Sequence, residues 1–147
     1  MLFRSVVPPL LGAFRPDVVV AQLGIDSHRT DPLTHLALSV NGFAAAVQRI
    51  LSLAPRLVAL GGGGYDAGNV ARAWTIAWAL MNQAPLPDRL PEGFVAGAGR
   101  YLRGRSELWD GPEPLPPDVV RPAREFAQRQ VATLRRVVYP ILGVRDG

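Results

Sequence analysis

Two short apolar runs constrain this 147-residue chain more than anything else in it. The first, "DVVVAQLG" at 17–24, is rich in valine and bounded by Pro16 and Gly24. The second, "RLVAL" at 56–60, runs into four consecutive glycines, Gly61 to Gly64. Neither run alternates apolar with polar residues, and both are too short for a stable helix. Each therefore reads as a strand buried on both faces of a parallel sheet. Between them, from Ser39, apolar residues recur at Val40, Phe43, Val47, Ile50 and Leu51. That spacing predicts an amphipathic helix ending before Pro55. Beyond the glycines, Val70, Ala73, Trp74, Ala77, Trp78 and Met81 form a second helical face. The order strand–helix–strand–helix predicts the α/β class with parallel strands. Two strands do not make a stable sheet covered on both faces, so the chain is expected to be part of a larger one.

The chain divides near Ala84. Residues 1–83 carry the alternating pattern, with a weaker helix over Leu2 to Phe14 that contains Pro8 and Pro9. Residues 84–147 hold two proline-rich stretches, "APLPDRLPEG" and "DGPEPLPPD", which read as surface connections. A last helix is expected over Arg121 to Tyr139, with Ala123, Phe126 or Ala127, Val131, Leu134 and Val138 facing inward. Pro122 would restrict its start, because proline is tolerated only in a first turn.

Composition narrows the chemistry. There is no cysteine, which excludes disulfides and thiolate metal sites and leaves Asp, Glu and His as metal ligands. It fits a reducing compartment, and a cytoplasmic protein is the expectation. The net charge is +4, and nine of the sixteen basic residues, all arginine, lie from Arg100 onward. Six of the twelve acids lie there too, so no basic block forms and nucleic-acid binding is not expected. No apolar run approaches the ~20 residues that a membrane span needs.

In an open parallel sheet, ligands collect at the carboxyl ends of the strands. Both unusual stretches fall there: "GIDSHRTDPLTHL" after the first run, and the glycines after the second. The two loops can face one another across one site. The glycines do not make a P-loop, because Tyr65-Asp66 stands where Lys-Ser/Thr is required. A dinucleotide turn can be forced onto Gly62, Gly64 and Ala67 with Asp88 as the ribose acid. Asp88, however, lies in a proline-rich loop rather than at a strand end, and Tyr65 crowds the turn. A backbone that must pass close to a ligand, or adopt positive φ, explains the glycines better. Tyr65 then closes the loop, either as a phenol that donates to a developing oxyanion or as a packing residue at a helix start. On spacing alone Asp26, His28, Asp31 and His35 make an oxygen-and-nitrogen set suited to a metal. The competing reading is a turn begun by Asp31-Pro32, with the histidines at the surface or capping.

Taken together and in order, "PDVVVAQLGIDSHRTDPLTHLALSV" and "LVALGGGGYDAGNVARAW" resemble the C-terminal part of the zinc-dependent histone deacetylase family. The "DPLTHL" form is most like its bacterial acetoin-utilization, AcuC-like branch. The resemblance covers roughly Val6 to Met81. It implies an α/β sandwich around a mostly parallel sheet, as in arginases. It also implies hydrolysis of an N-acetyl amide, on an acetylated protein lysine or a small acetylated amine, to an amine and acetate. By resemblance Asp26 matches a zinc ligand and Tyr65 the catalytic tyrosine. Gly63 and Gly64 match the wall of the tube that takes the substrate stem. Asp31 matches a structural position, and His28 and His35 match no ligand. The family's paired histidines and its first Asp-x-His ligands would lie upstream of Met1. The chain by itself is therefore expected to be inactive and poor at holding Zn²⁺. A non-catalytic α/β interaction module is the alternative, and a nucleotide-binding α/β domain a further one.

Overall fold

The computed structural model describes residues 2–112 and 114–144. Helix α1 (Leu2–Phe14) leads into strand β1 (Val19–Gln22), helix α2 (Val40–Leu53), strand β2 (Leu57–Leu60) and helix α3 (Ala67–Asn82). Helices α4 (Glu92–Leu102) and α5 (Pro117–Val137) follow, then a 3-10 turn at Pro140–Leu142. The strands pair in parallel, Val19 with Leu57 and Gln22 with Leu60, with α2 as the crossover. The expected strand–helix–strand–helix order is present, and the class is α/β.

Each element has a local cause. Ser39 caps α2 by accepting the Gly42 N–H at 3.1 Å, which satisfies one of the donors a helix start leaves open. Val40, Phe43, Ala44 and Val47 then lie on the buried face. They meet Ala73, Ile76 and Ala77 of α3, and Ala21, Leu23 and Ile25 at and beyond β1, in one core. Helix α3 stops on Gln83, a left-handed residue whose N–H closes onto the last turn.

The sheet departs from the expectation of strands buried on both faces. Only one face is covered: Ala21 is buried, whereas Val20 is 62% exposed, Val58 46% and Leu60 51%. The valine-rich character suits a sheet with two covered faces, but α2 and α3 lie on the same side. The inward face of α3 is only in part the one expected: Ala73 and Ala77 are buried and Val70 and Met81 pack on the core, but Trp74 and Trp78 are exposed. Trp78 is 60% exposed, and its place inside is taken by Asn69, Arg72, Ile76 and Ala79. Arg72 can be buried because every donor it presents inward has a partner, as described below.

Beyond Ala84 the chain is more than connection. Helix α4, which the proline- and glycine-rich composition hid, packs on α3 and buries Leu102, and Leu108 joins the main core. Helix α5 starts four residues earlier than Arg121, with Pro116 as its cap and Pro117 in the first turn. Pro122 therefore lies inside the helix, and the carbonyl it leaves unpaired belongs to the exposed Asp118, where water can satisfy it. Of the residues expected inward, Ala127, Val131, Leu134 and Val138 are partly buried, whereas Ala123 and Phe126 are exposed. Helix α5 packs against α1, and the Tyr139 hydroxyl donates to the Ser5 carbonyl at 3.2 Å. Among the described residues no helix is long and apolar enough to cross a membrane.

Candidate active site

The parallel pairing does not end with the strands. Leu23 N–H donates to Leu60 O at 2.9 Å, and Ile25 N–H to Gly63 O at 2.7 Å. The chain after β1 and the glycine run after β2 therefore travel side by side to the carboxyl end of the sheet. This brings Asp26 against Gly63. A Cβ on Gly63 would overlap the Asp26 carboxylate, 2.7 Å from its Cγ. With a hydrogen there the Asp26 carboxylate can lie against the backbone in this position. Gly64 has φ +148°, a conformation that side chains rarely adopt, and a Cβ there would meet Val70 and Ile25. Indole N–H donation from Trp74 to Leu23 O at 2.8 Å ties α3 to the same strand end.

Tyr65 leaves the glycine run as a residue 57% exposed. Its backbone N–H is held by Asp31 Oδ2 at 2.9 Å, while Asp31 Oδ1 takes the Leu33 N–H at 2.9 Å. Asp31 thus ties the loop after β1 to the loop after β2, which fits the structural role implied for it. The Asp26 loop is also folded on itself. Leu38 N–H donates to Ser27 O and Arg29 N–H to Leu38 O, and the Thr34 hydroxyl donates to Asp26 O.

The spacing-based metal set does not assemble. Among the described residues no three His, Cys, Asp or Glu gather in a group able to hold a metal ion. His35 is exposed. Asp31 spends both oxygens on backbone N–H groups. His28 is fully buried and faces away into a polar ring. Among the described residues Asp26 is the carboxylate placed against the Gly63 backbone, and no second member of the set joins it there.

The ring around His28 had not been expected. Its Nε2 lies 3.0 Å from Asp110 Oδ2, and its Nδ1 2.9 Å from Asn69 Nδ2 and 3.2 Å from the Thr30 N–H. Arg72 donates through Nη1 to Asn69 Oδ1 at 2.9 Å and through Nη2 to Asp110 Oδ1 at 2.7 Å. The Arg72 bond orients the Asn69 amide, so its nitrogen is the donor toward His28. The imidazole Nδ1 faces two donors and must accept, which leaves Nε2 to donate to Asp110. Arg72, Asn69, His28 and Asp110 close a ring in which each hydrogen bond has a consistent direction. A branch leaves it where the Thr30 hydroxyl accepts from Asn69 Nδ2 at 2.6 Å and donates to Asp66 Oδ2 at 2.7 Å. Asp66 is the residue after Tyr65.

Asp110 also accepts from Val40 N–H and from Arg105 Nη1, both at 2.8 Å, and Arg72 Nε donates to Leu108 O at 3.0 Å. The Asp110 and Arg72 side chains are each 1% exposed. Burial alone would raise the Asp110 pKa. The bonds from His28, Arg72 and Val40, with the Arg72 charge, outweigh burial and hold the carboxyl well below the ordinary carboxylate range. No buried side-chain nitrogen or oxygen among the described residues lacks a partner. A separate apolar cavity of about 400 Å³ lies between α3, the 84–91 loop and α4, lined by Trp78, Leu86, Leu90 and Phe94. Neither Asp26 nor Tyr65 borders it.

Comparison with known proteins identifies the family. Residues 1–81 match the model of the histone deacetylase domain. The chain is 30% identical over 146 residues to the acetoin utilization protein AcuC of Bacillus subtilis, covering 95% of this chain and 38% of that protein. It is 34% identical to the AcuC of Staphylococcus xylosus over 64% of this chain and 26% of the relative. With human histone deacetylase 1 it shares 37% identity over 61% of this chain and 19% of the relative. The chain thus spans well under half the length of these relatives, and the matched region holds both loops of the site. The chain belongs to the histone deacetylase family and is similar to its bacterial AcuC members.

Proposed function

We propose that this chain supplies the glycine wall and the tyrosine of a zinc-dependent deacetylase, which hydrolyses an N-acetyl amide to an amine and acetate. The observation that carries the reading is the approach of Asp26 to the Gly63 backbone, with Tyr65 next but one along the chain, at the carboxyl ends of two parallel strands. In this reading Gly63 and Gly64 border a narrow passage for an extended acyl-amine stem, where side chains would obstruct it. The exposed Tyr65 phenol donates a hydrogen bond to the amide oxygen as that oxygen gains negative charge. Such a contact tightens most in the transition state. Asp31 and the loop bonds hold Tyr65 at a fixed place along the strand end. Asp26 would be one carboxylate ligand of the zinc, and the remaining ligands and the general base must come from residues outside this set.

The substrate class is an acetylated protein lysine or a small acetylated amine, and the absence of cysteine fits work in the cytoplasm. The test is acetate release from an acetyl-lysine peptide and an acetylpolyamine by a polypeptide that joins this chain to the histidine-bearing part of the domain. Turnover that depends on Tyr65, and bound zinc that depends on Asp26, are expected. The 147-residue chain alone is expected to show neither turnover nor stoichiometric zinc. A second reading, a non-catalytic α/β interaction module, draws support from the exposed apolar sheet face at Val20, Val58 and Leu60. Stable folding without turnover in the joined polypeptide would favour it.

A further inference from the structure

We infer that Asp110, in the segment between α4 and α5, is a positioning residue that sets the Asp26 loop and the Tyr65 loop relative to one another through the His28–Asn69–Arg72 ring. Four donors converge on its carboxylate: Arg72 and Arg105 on Oδ1, His28 and Val40 N–H on Oδ2. They come from four places in the fold. His28 belongs to the loop that carries Asp26. Val40 opens α2. Arg72 lies in α3, the helix that Tyr65 introduces, and Arg105 follows α4. Asp110 N–H in turn donates to Asn41 Oδ1 at 3.0 Å, so backbone and side chain are both fixed.

The path from Asp110 to the site is short and continuous. His28 is two residues beyond Asp26. Asn69 passes the order on to Thr30, and Thr30 to Asp66, beside Tyr65. Asp31 closes the second connection on the Tyr65 N–H. Moving the carboxylate releases His28 and Arg72 at once, and with them both loops. A buried network with every bond satisfied is stiff, and removing one member leaves several buried donors unpaired. Asparagine cannot substitute: its oxygen serves one pair of donors, and its NH₂ then faces the other pair.

The coupling gains its meaning from the deacetylase reading, but its test reads no turnover. In the full chain, Asp110→Asn is compared with wild type by amide hydrogen exchange and by the ¹⁵N signals of the His28 imidazole. Wild type is expected to hold a single Nε2–H tautomer. In Asp110→Asn the tautomers mix, and the Tyr65 and Leu33 amides exchange about tenfold faster through local openings that low urea does not enhance, whereas Val47 and Ile76 change only as global stability does. An aspartate that served only overall stability would speed Val47 and Ile76 and leave the local opening at Tyr65 unchanged, and that pattern overturns the inference. So does a single tautomer with unchanged Tyr65 exchange. Should Asp110→Asn not fold, Arg105→Gln removes one donor at the partly exposed rim and loosens the hold of the Asp110 carboxylate on the ring. About threefold faster exchange at Tyr65 is then expected, with Val47 and Ile76 unchanged. Unchanged exchange at Tyr65 in that variant overturns the inference. Loss of this coupling alongside a tyrosine-dependent hydrolysis, or the reverse, separates the two proposals.

Discussion

Asp31 and Tyr65, thirty-four positions apart, are joined by a single hydrogen bond of 2.9 Å from the tyrosine backbone N–H to the aspartate Oδ2. The other oxygen of Asp31 takes the Leu33 N–H, and the residue is 7% exposed. Replacing it by asparagine leaves one of two part-buried N–H groups facing an NH₂. A loss of about 1 kcal/mol is expected, the net worth of a typical hydrogen bond. Urea unfolding of the variant measures it, and an unchanged midpoint would show that the bond carries no net stability.

Gly63→Ala tests the close approach itself. The added methyl overlaps the Asp26 carboxylate, so the Asp26 side chain must turn away or the loops part. In an active polypeptide a displacement of this kind at a reacting site lowers kcat/KM by about 100-fold. Circular dichroism is expected to show the fold retained, because the overlap lies at the strand ends and not in the core. Gly12→Ala, in open space on α1, is the control expected to change neither.

Asp110 governs acid stability. Its pKa in the folded chain is depressed, while in the unfolded chain it takes the ordinary value near about 4. Above that value both states are ionised, and the stabilisation is fully present. As pH falls below it the unfolded chain binds a proton first, so stability declines toward the folded-state value. Unfolding followed from pH 7 to pH 3 should therefore show a decline that Asp110→Asn lacks. At neutral pH that variant is expected to lose about 3–5 kcal/mol, as when one partner of a buried charge pair is removed. A variant with the wild-type acid profile would assign the decline to other carboxylates.

Ser39→Ala removes the α2 cap. The Gly42 N–H then loses its acceptor, and about 1 kcal/mol is expected to go with it. Thermal unfolding reads the change, which should leave the Tyr65 loop untouched.

How much of this was legible follows from what kind of contact each residue makes. The strands, α2, and the approach of Asp26 to the glycines were visible, because apolar periodicity and strand-end placement are local signals. Asp31 and Tyr65 were visible as positions, though only the folded chain joins them. The exposed side of the sheet was misread because a valine-rich strand encodes two covered faces, whatever lies beyond this chain. The face of α3 was legible at Val70, Ala73, Ala77 and Met81 but not at its polar members, because apolar periodicity does not register buried polar residues. Asn69 and Arg72, three apart and in phase with Ala73 and Ile76, carried a signal: polar residues on an apolar face imply buried partners. Asp110 carried none. It sits beside prolines in a stretch with no periodicity, and its donors come from sequence positions as distant as His28. Helix α4 was hidden by glycines that lower helix propensity, and packing on α3 supplies what propensity does not.

In the proposed reaction Tyr65 acts on the amide oxygen. The most direct measurement compares Tyr65 with Tyr65→Phe in the joined polypeptide, with acetate release and bound zinc followed together. A fall in kcat of about 100-fold or more is expected, as when an oxyanion donor is lost, with zinc content and fold unchanged. Equal turnover by the phenylalanine variant would contradict it.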